Sequence, residues 1–154
     1  MVVGATLAFG AGAVVAQHHG HGHHQAPPRP SPDTRIFVKF PPQLVEHTLA
    51  NMRDHLAALQ EIQEAMARGD YTKAAHIAEH RLGMSALRSH GAHHVAQFMP
   101  PGMKDAGTAM HRAASRFAIA VQDAELKGDL KPALAALGQV MSACVGCHAG
   151  YRLK

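Results

Sequence analysis

The stretch VEHTLANMRDHLAALQEIQEAMARGD, residues 45–70, decides the fold of this chain. Its apolar side chains recur at steps of three and four residues from Val45 to Met66, which is the period of one face of an α-helix. Gly69 then breaks the helix, and Asp70 can cap the helix that follows. The stretch therefore predicts a long amphipathic helix that ends in a tight turn.

The sequence after this helix predicts three more helices. Gly83 and Gly91 are weak points of the second helix, and the breaker FMPPG, residues 98–102, ends it. The predicted helices are 43–66, 71–98, 103–127 and a last one that begins behind Asp129 and runs into the C-terminal CVGCHAGYRLK. Four helices with short connections predict an all-α fold, an antiparallel up-down-up-down four-helix bundle.

This topology predicts where the ends of the helices meet. In an up-down-up-down bundle, the start of helix 1, the end of helix 2, the start of helix 3 and the end of helix 4 lie at the same end. The two cysteines of the chain, Cys144 and Cys147, are at that end. We therefore expect any site built on them to draw on all four helices.

The composition of the 154 residues agrees with one helical domain. Hydrophobic residues make up 47% and aromatic ones only 5%, which favours helix packing over sheets. The formal net charge is +4, yet no run of lysine and arginine is interleaved with aromatic residues. The sequence gives no indication of nucleic-acid binding.

The first sixteen residues, MVVGATLAFGAGAVVA, carry no charge and are too few to span a bilayer. The small residues at 14–16 predict a signal peptide, 1–16, cleaved before Gln17. An N-terminal apolar anchor is the alternative. Cleavage implies export, in a bacterium to the periplasm, with no membrane insertion of the mature chain.

Residues 17–40 predict a disordered tail and a proline-rich linker, with the folded domain covering 41–154. The tail offers a second candidate metal site, for copper or nickel, because a free amine at Gln17 and a nearby imidazole suit square-planar coordination. Its histidines are His18, His19, His21, His23 and His24. A merely solvated tail is the alternative.

The C-terminal motif carries the chemistry. On a helix, Cys144, Cys147 and His148 stand at i, i+3 and i+4 and share one face. A thioredoxin-type dithiol needs this pair at the start of a helix after a strand, and a structural zinc needs a fourth ligand. Covalent haem attachment fits the motif, with thioethers from the two cysteines and the histidine on the iron.

The segment CVGCHAGYR, residues 144–152, resembles the C-terminal motif of the class II c-type cytochromes, the cytochrome c′ family. The resemblance covers residues 43–154, and FMPPG at 98–102 is similar to the family's turn between the second and third helices. It implies that Cys144 and Cys147 carry haem c, that His148 is the axial ligand and that Arg152 lies beside the haem. The sequence departs from the family at His111, where several members have tryptophan.

The sixth iron position separates the functions within that family. The low-spin members carry Met-Lys or Met-Arg in helix 1, and the pair Met52-Arg53 stands at the corresponding point here. Met52 as ligand implies electron transfer, whereas an apolar residue implies a five-coordinate protein that binds nitric oxide or carbon monoxide. Core packing is the alternative role of Met52. His55 is a rival ligand among a group of histidines expected near this end, which also contains His47, His90, His93, His94 and His111.

We therefore expect a periplasmic monohaem electron-transfer cytochrome, not an enzyme, that exchanges electrons with redox partner proteins. Gas binding by a five-coordinate haem and metal capture by the tail are the alternatives. His76 and His80, at i and i+4, are a further candidate metal clip, with a solvated helix face as the alternative. The sequence leaves open whether two chains pair as a homodimer through helices 1 and 2.

Overall fold

The computed structural model describes residues 32–153 of the chain. The predicted signal peptide, 1–16, and the tail histidines lie outside the described residues. Helix accounts for 79% of the described part, in five α-helices with short π- and 3-10-helical turns between them. This confirms the predicted helical class. A two-stranded sheet is the addition that the sequence did not predict.

The elements follow one another in a simple order. They are β1 (Ile36–Val38), α1 (Pro42–Ala67), α2 (Tyr71–Ile77), a π-helical turn (Ala78–Leu82), a 3-10 turn (Met84–Leu87), α3 (Ala92–Val95), a second 3-10 turn (Ala96–Phe98), α4 (Pro101–Lys127), α5 (Lys131–Gly150) and β2 (Tyr151–Leu153).

Local signals account for the limits of the longer helices. Pro42 and Pro101 occupy the first turn of α1 and α4, where a missing backbone N–H costs nothing. The Asp70 carboxylate accepts a hydrogen bond from the Lys73 backbone N–H at 3.1 Å and caps α2. These limits lie within about two residues of the predicted ones.

The predicted second helix, 71–98, is broken in two places. At Gly83 the backbone is extended, and an added Cβ would stand 2.7 Å from the Glu79 carbonyl oxygen, so only glycine fits. At Gly91 the backbone is left-handed, with φ of 62°. The result is α2, a π-helical turn, two 3-10 turns and α3 in place of one helix, which is a correction to the prediction.

The folded domain begins before Pro41, where the sequence placed its boundary. β1 pairs in parallel with β2, with Ile36 opposite Tyr151 and Val38 opposite Leu153. Val38 is buried at 4% exposure. Residues 33–40 therefore belong to the domain and not to the linker, because their backbone groups and one apolar side chain find partners at the other end of the chain.

The core lies along α4. Phe117 and Val121 of this helix are fully buried and pack in one cluster with Ile62 of α1, Leu82 of the π-helical turn and Val140 of α5. Helix α4 packs against α5 and α2, and α1 packs against α2 and the π-helical turn. Among the described residues, α1 and α5 share no extended packing.

Three contacts bring the predicted helix ends together. Phe40, before α1, packs edge-on against Phe98, with 6.4 Å between ring centroids. The Tyr151 hydroxyl lies so close to Gly102, at the start of α4, that a Cβ there would collide with it. Pairing of β1 with β2 joins the start of α1 to the end of α5. The C-terminal motif lies where these segments meet.

Candidate functional site

The site is built on the last two turns of α5. Cys144, Cys147 and His148 all lie within this helix, so their spacing places them on one face. Both cysteines are free thiols and half-buried, and Cys144 packs against the core cluster. The His148 side chain is exposed. The face thus presents two thiols and one imidazole that are open to a ligand on one side.

Both thiols are held in the protonated form at neutral pH. Burial raises the pKa of Cys144 above its usual value. Burial also raises the pKa of Cys147, and the neighbouring Cys144 adds to the rise. Because a dithiol oxidoreductase needs a lowered thiol pKa at a helix N-terminus, a raised pKa at a helix C-terminus disfavours that chemistry.

Residues 33–38, which we call the strap, cross the end of α5 beside this motif. Arg152, implied by the resemblance, has its guanidinium 5.6 Å from the ring centroid of Phe37, and its Nε is 3.4 Å from Asp33 Oδ2. Arg35 Nη1 donates to the His148 backbone oxygen at 3.4 Å. Roles for Asp33, Arg35 and Phe37 were not predicted from the sequence. The short run of β-favouring residues at 36–38 was the one signal for a strand there.

Helices α1 and α5 carry apolar side chains outside the core. On α5, Leu134, Met141 and Val145 lie on one side of the helix, and Val145 is 67% exposed. On α1, Leu49 and Leu56 are exposed, with Leu56 at 71%. Helix α5 is long and apolar enough to cross a membrane by length and composition, a property that core helices share, and 17% of its apolar window is buried. Both helices therefore have uncovered apolar surface.

Met52 lies on the α1 stripe. It stands three residues after Leu49 and four before Leu56, which places all three on one side of the helix. Its side chain is half-buried, unlike those of the core residues of the same helix, such as Ala58 and Ile62. Met52 is therefore less buried than the core residues of α1.

Three of the predicted histidines form a buried cluster. His55 of α1, His90 of the turn before α3 and His111 of α4 are each at most 9% exposed. Their ring centroids are 4.7 Å apart for His55 and His90, 5.4 Å for His90 and His111, and 6.1 Å for His55 and His111. We call these residues the histidine cluster. It joins three separate segments of the chain.

Hydrogen bonds hold the members of the cluster. His55 Nε2 lies 3.5 Å from His90 Nδ1, and His111 Nδ1 donates to the Leu82 carbonyl oxygen at 2.7 Å. His47 Nε2 lies 2.8 Å from the His90 backbone oxygen, to which it donates. Burial lowers the pKa of His55 to about 4, with smaller contributions from His90 and His111, and burial also lowers the pKa of His90. His55 and His90 are therefore neutral at neutral pH.

The remaining predicted histidines are not part of the histidine cluster. His93 and His94 are exposed and border an open cavity of about 470 Å³. The rings of His76 and His80 stack with 4.1 Å between centroids beside a second cavity of similar volume. Within residues 32–153, no three histidine, cysteine or acidic side chains are arranged to hold a metal ion. Comparison of the chain with known protein families, curated proteins and solved structures found no match.

Proposed function

We propose that this chain is an exported, periplasmic monohaem c-type cytochrome that transfers electrons between protein partners and is not an enzyme. Cys144 and Cys147 hold haem c through thioether bonds, and His148 is the axial ligand on the iron. When bound, the haem iron supplies one-electron redox chemistry.

One observation carries the proposal. Cys144, Cys147 and His148 stand at i, i+3 and i+4 on the last two turns of α5, with both thiols free and the imidazole exposed. The raised pKa of both thiols disfavours dithiol exchange, and both are free to form the thioether bonds that the motif implies. The residues present therefore fit the group that the motif implies.

The uncovered apolar surface supports a large apolar ligand. The stripe of Leu134, Met141 and Val145 runs along the helix that carries the motif. Helix α1 carries a second such stripe and is not packed along α5 in the described part. A haem buried between these helices would cover apolar surface that otherwise contacts water, at about 25 cal/mol per Å².

Contacts between the helix ends support the finer fold proposal, an up-down-up-down four-helix bundle over residues 41–154. The β1–β2 pair adds residues 36–38 at one end of it. The second helix of the bundle is then the broken segment 71–98. The contacts at Phe40–Phe98 and Gly102–Tyr151 agree with alternating helix directions.

Met52 is the sixth ligand that we propose, ahead of His55. The His55 ring is buried and its Nε2 contacts His90, so binding to iron would break the histidine cluster. Met52 is half-buried, and none of the described hydrogen bonds or ring contacts would have to break for its thioether to bind the iron. A thioether is a neutral, soft donor that favours reduced iron, which suits an electron carrier.

The test is an absorption spectrum and an intact mass of the protein purified from the periplasm, in both redox states. We expect one covalent haem and a low-spin ferric spectrum. The double variant Cys144→Ser with Cys147→Ser removes the covalent haem, and Ser142→Ala, on the same helix, retains it. A wild-type protein with no covalent haem overturns the proposal. If the haem is covalent but high-spin and binds carbon monoxide readily, the function is gas binding and not electron transfer.

A further inference from the structure

The C-terminal end of α5 needs partners for its backbone carbonyl groups. The last four carbonyls of an α-helix have no partner within the helix. Here the Tyr151 backbone N–H donates to the Cys147 carbonyl, and Arg35 Nη1 donates to the His148 carbonyl at 3.4 Å. The second partner comes from a residue 113 positions earlier in the chain. Both carbonyl groups at the end of the motif are therefore bound.

Arg35 is itself held in one orientation. Its Nε and Nη2 donate to the two carboxylate oxygens of Asp33 at 2.9 and 2.8 Å, and its backbone N–H donates to Asp33 Oδ1 at 3.1 Å. A bidentate pair of this kind fixes the plane of the guanidinium. The remaining nitrogen, Nη1, is the one directed at His148. Arg35 also holds the pKa of Asp33 below its usual range, so the carboxylate stays charged.

The β1–β2 pair fixes the position of the strap. Phe37 stands opposite Arg152 in the register, and the Arg152 guanidinium lies over the Phe37 ring. Val38, buried at 4% exposure, anchors the strand in the domain. Arg35 precedes this anchored strand by one residue, so its reach to α5 is set by the pairing. The ion pair with Asp33 and the pairing of β1 with β2 thus both hold Arg35 in position to contact the His148 carbonyl.

We propose that Arg35 is a positioning residue for His148 and that the strap is part of the cofactor site. This inference rests on the proposed function, in which His148 is the axial ligand. Arg35 holds the backbone of the turn that presents the imidazole, and it places a positive charge at the negative end of the α5 dipole. Arg35 also offsets the negative charge of the Asp33 carboxylate, so its removal would leave that charge near the ligand and favour the oxidised state of the site. Neither effect requires contact between Arg35 and the iron.

The experiment compares Arg35→Gln, Arg35→Lys and Arg116→Gln in the haem-loaded full chain. Arg116 is an exposed arginine of α4 and stands about 20 Å along that helix from the end where the strap lies. Two quantities are measured: the midpoint reduction potential, and the hydrogen-exchange rate of the amides of Tyr151–Leu153. The second is measured without any signal from the cofactor.

We expect Arg35→Gln to lower the midpoint potential and to speed amide exchange in β2 at least several-fold. Arg35→Lys keeps the charge but loses the bidentate pair, so it recovers most of the potential and little of the protection. Arg116→Gln matches the wild type in both. If Arg35→Gln does not fold, Arg35→Met takes its place, with the same expected fall in potential and the same faster exchange in β2.

Three outcomes overturn the inference. Wild-type potential and exchange in Arg35→Gln mean that the strap does not act on the motif. Faster exchange with an unchanged potential means that Arg35 only caps the helix. Absence of covalent haem from the wild-type protein removes the proposed function and this inference together, whereas the first two outcomes leave the proposed function standing.

Discussion

His55 Nε2 and His90 Nδ1 lie 3.5 Å apart in the core, with the His111 ring edge-on to His55 at 6.1 Å between centroids. These imidazoles come from α1, from the turn before α3 and from α4, so they join segments far apart in the chain. Burial lowers the pKa of both His55 and His90 and so disfavours a charge on either. The contact between His55 and His90 is stable only while the pair carries at most one extra proton.

The first prediction is a loss of stability in mild acid. The pKa of His55 is lowered to about 4 in the folded state, against 6.5 for the ordinary value. Between these values the unfolded chain binds more protons, so the free energy of unfolding rises with pH and is fully present above pH 6.5. We expect a loss of roughly 2–3 kcal/mol between pH 7 and pH 4 from His55 alone. Urea unfolding at several pH values measures it.

Four titratable or charged groups face His55 and affect its pKa. They are His90 and His111 from the cluster, and Asp54 and Arg81, which act on His55 in opposite directions. His55→Gln is expected to flatten the pH dependence, whereas His76→Gln, at an exposed position, leaves it unchanged. An equally steep dependence in both variants would contradict the role of the cluster.

The second prediction concerns the break in the segment 71–98. Gly83→Ala places a methyl group within 2.7 Å of the Glu79 carbonyl oxygen, so the turn must shift, at a cost of about 1–3 kcal/mol. Gly138→Ala is the matched control, because nothing lies within 4 Å of its added Cβ and alanine favours the helix. Thermal unfolding should show a lower midpoint for the first and an equal or higher one for the second.

The third prediction concerns Arg81, which joins the π-helical turn to α1. Its guanidinium donates to Asp54 Oδ1 at 2.5 Å and to Glu61 Oε1 at 2.7 Å. Because the groups are partly exposed, we expect Arg81→Met to cost about 1 kcal/mol. Arg68→Met, which removes a looser surface pair with Glu64 at 3.7 Å, should cost at most about 0.5 kcal/mol. Equal losses in urea unfolding would show that the Arg81 network adds nothing.

The fourth prediction concerns the sixth iron position. If Met52 is the ligand, the wild-type protein binds carbon monoxide slowly, because the thioether must leave first. Met52→Ala should turn the haem high-spin and bind the gas at least tenfold faster. Met66→Ala, which lies about 21 Å further along α1, should change stability alone. A low-spin spectrum in Met52→Ala would assign the position to another residue, His55 being the first to test.

The limits of the long helices follow from the sequence because their signals are local. A proline at the first turn of α1 and of α4 and an aspartate cap at Asp70 act within one turn of the chain. The spacing of Cys144, Cys147 and His148 is of the same kind, since any helix through these positions puts them on one face. The helical class and the composition of the candidate site were therefore predictable.

The breaks in the second helix were not predictable in the same way. Gly83 and Gly91 are glycines that an isolated helix could tolerate at a cost of about 1 kcal/mol each. What breaks the helix at Gly83 is the set of contacts around Glu79, whose carboxylate bonds to Ser85 six residues on. The outcome depends on side chains that converge only after the segment has packed.

The sequence by itself determined where the long helices α1, α4 and α5 lie and which side chains the C-terminal motif presents, because both depend on neighbours within a few residues. The tertiary structure alone decided that residues 33–38 pair with β2, that Arg35 reaches His148, and that His55, His90 and His111 meet in the core. Strands of three residues carry almost no local preference, and each histidine taken singly suits an exposed site as well as a buried one. Their partners are fixed by burial and backbone hydrogen bonding between distant segments, which no local pattern encodes.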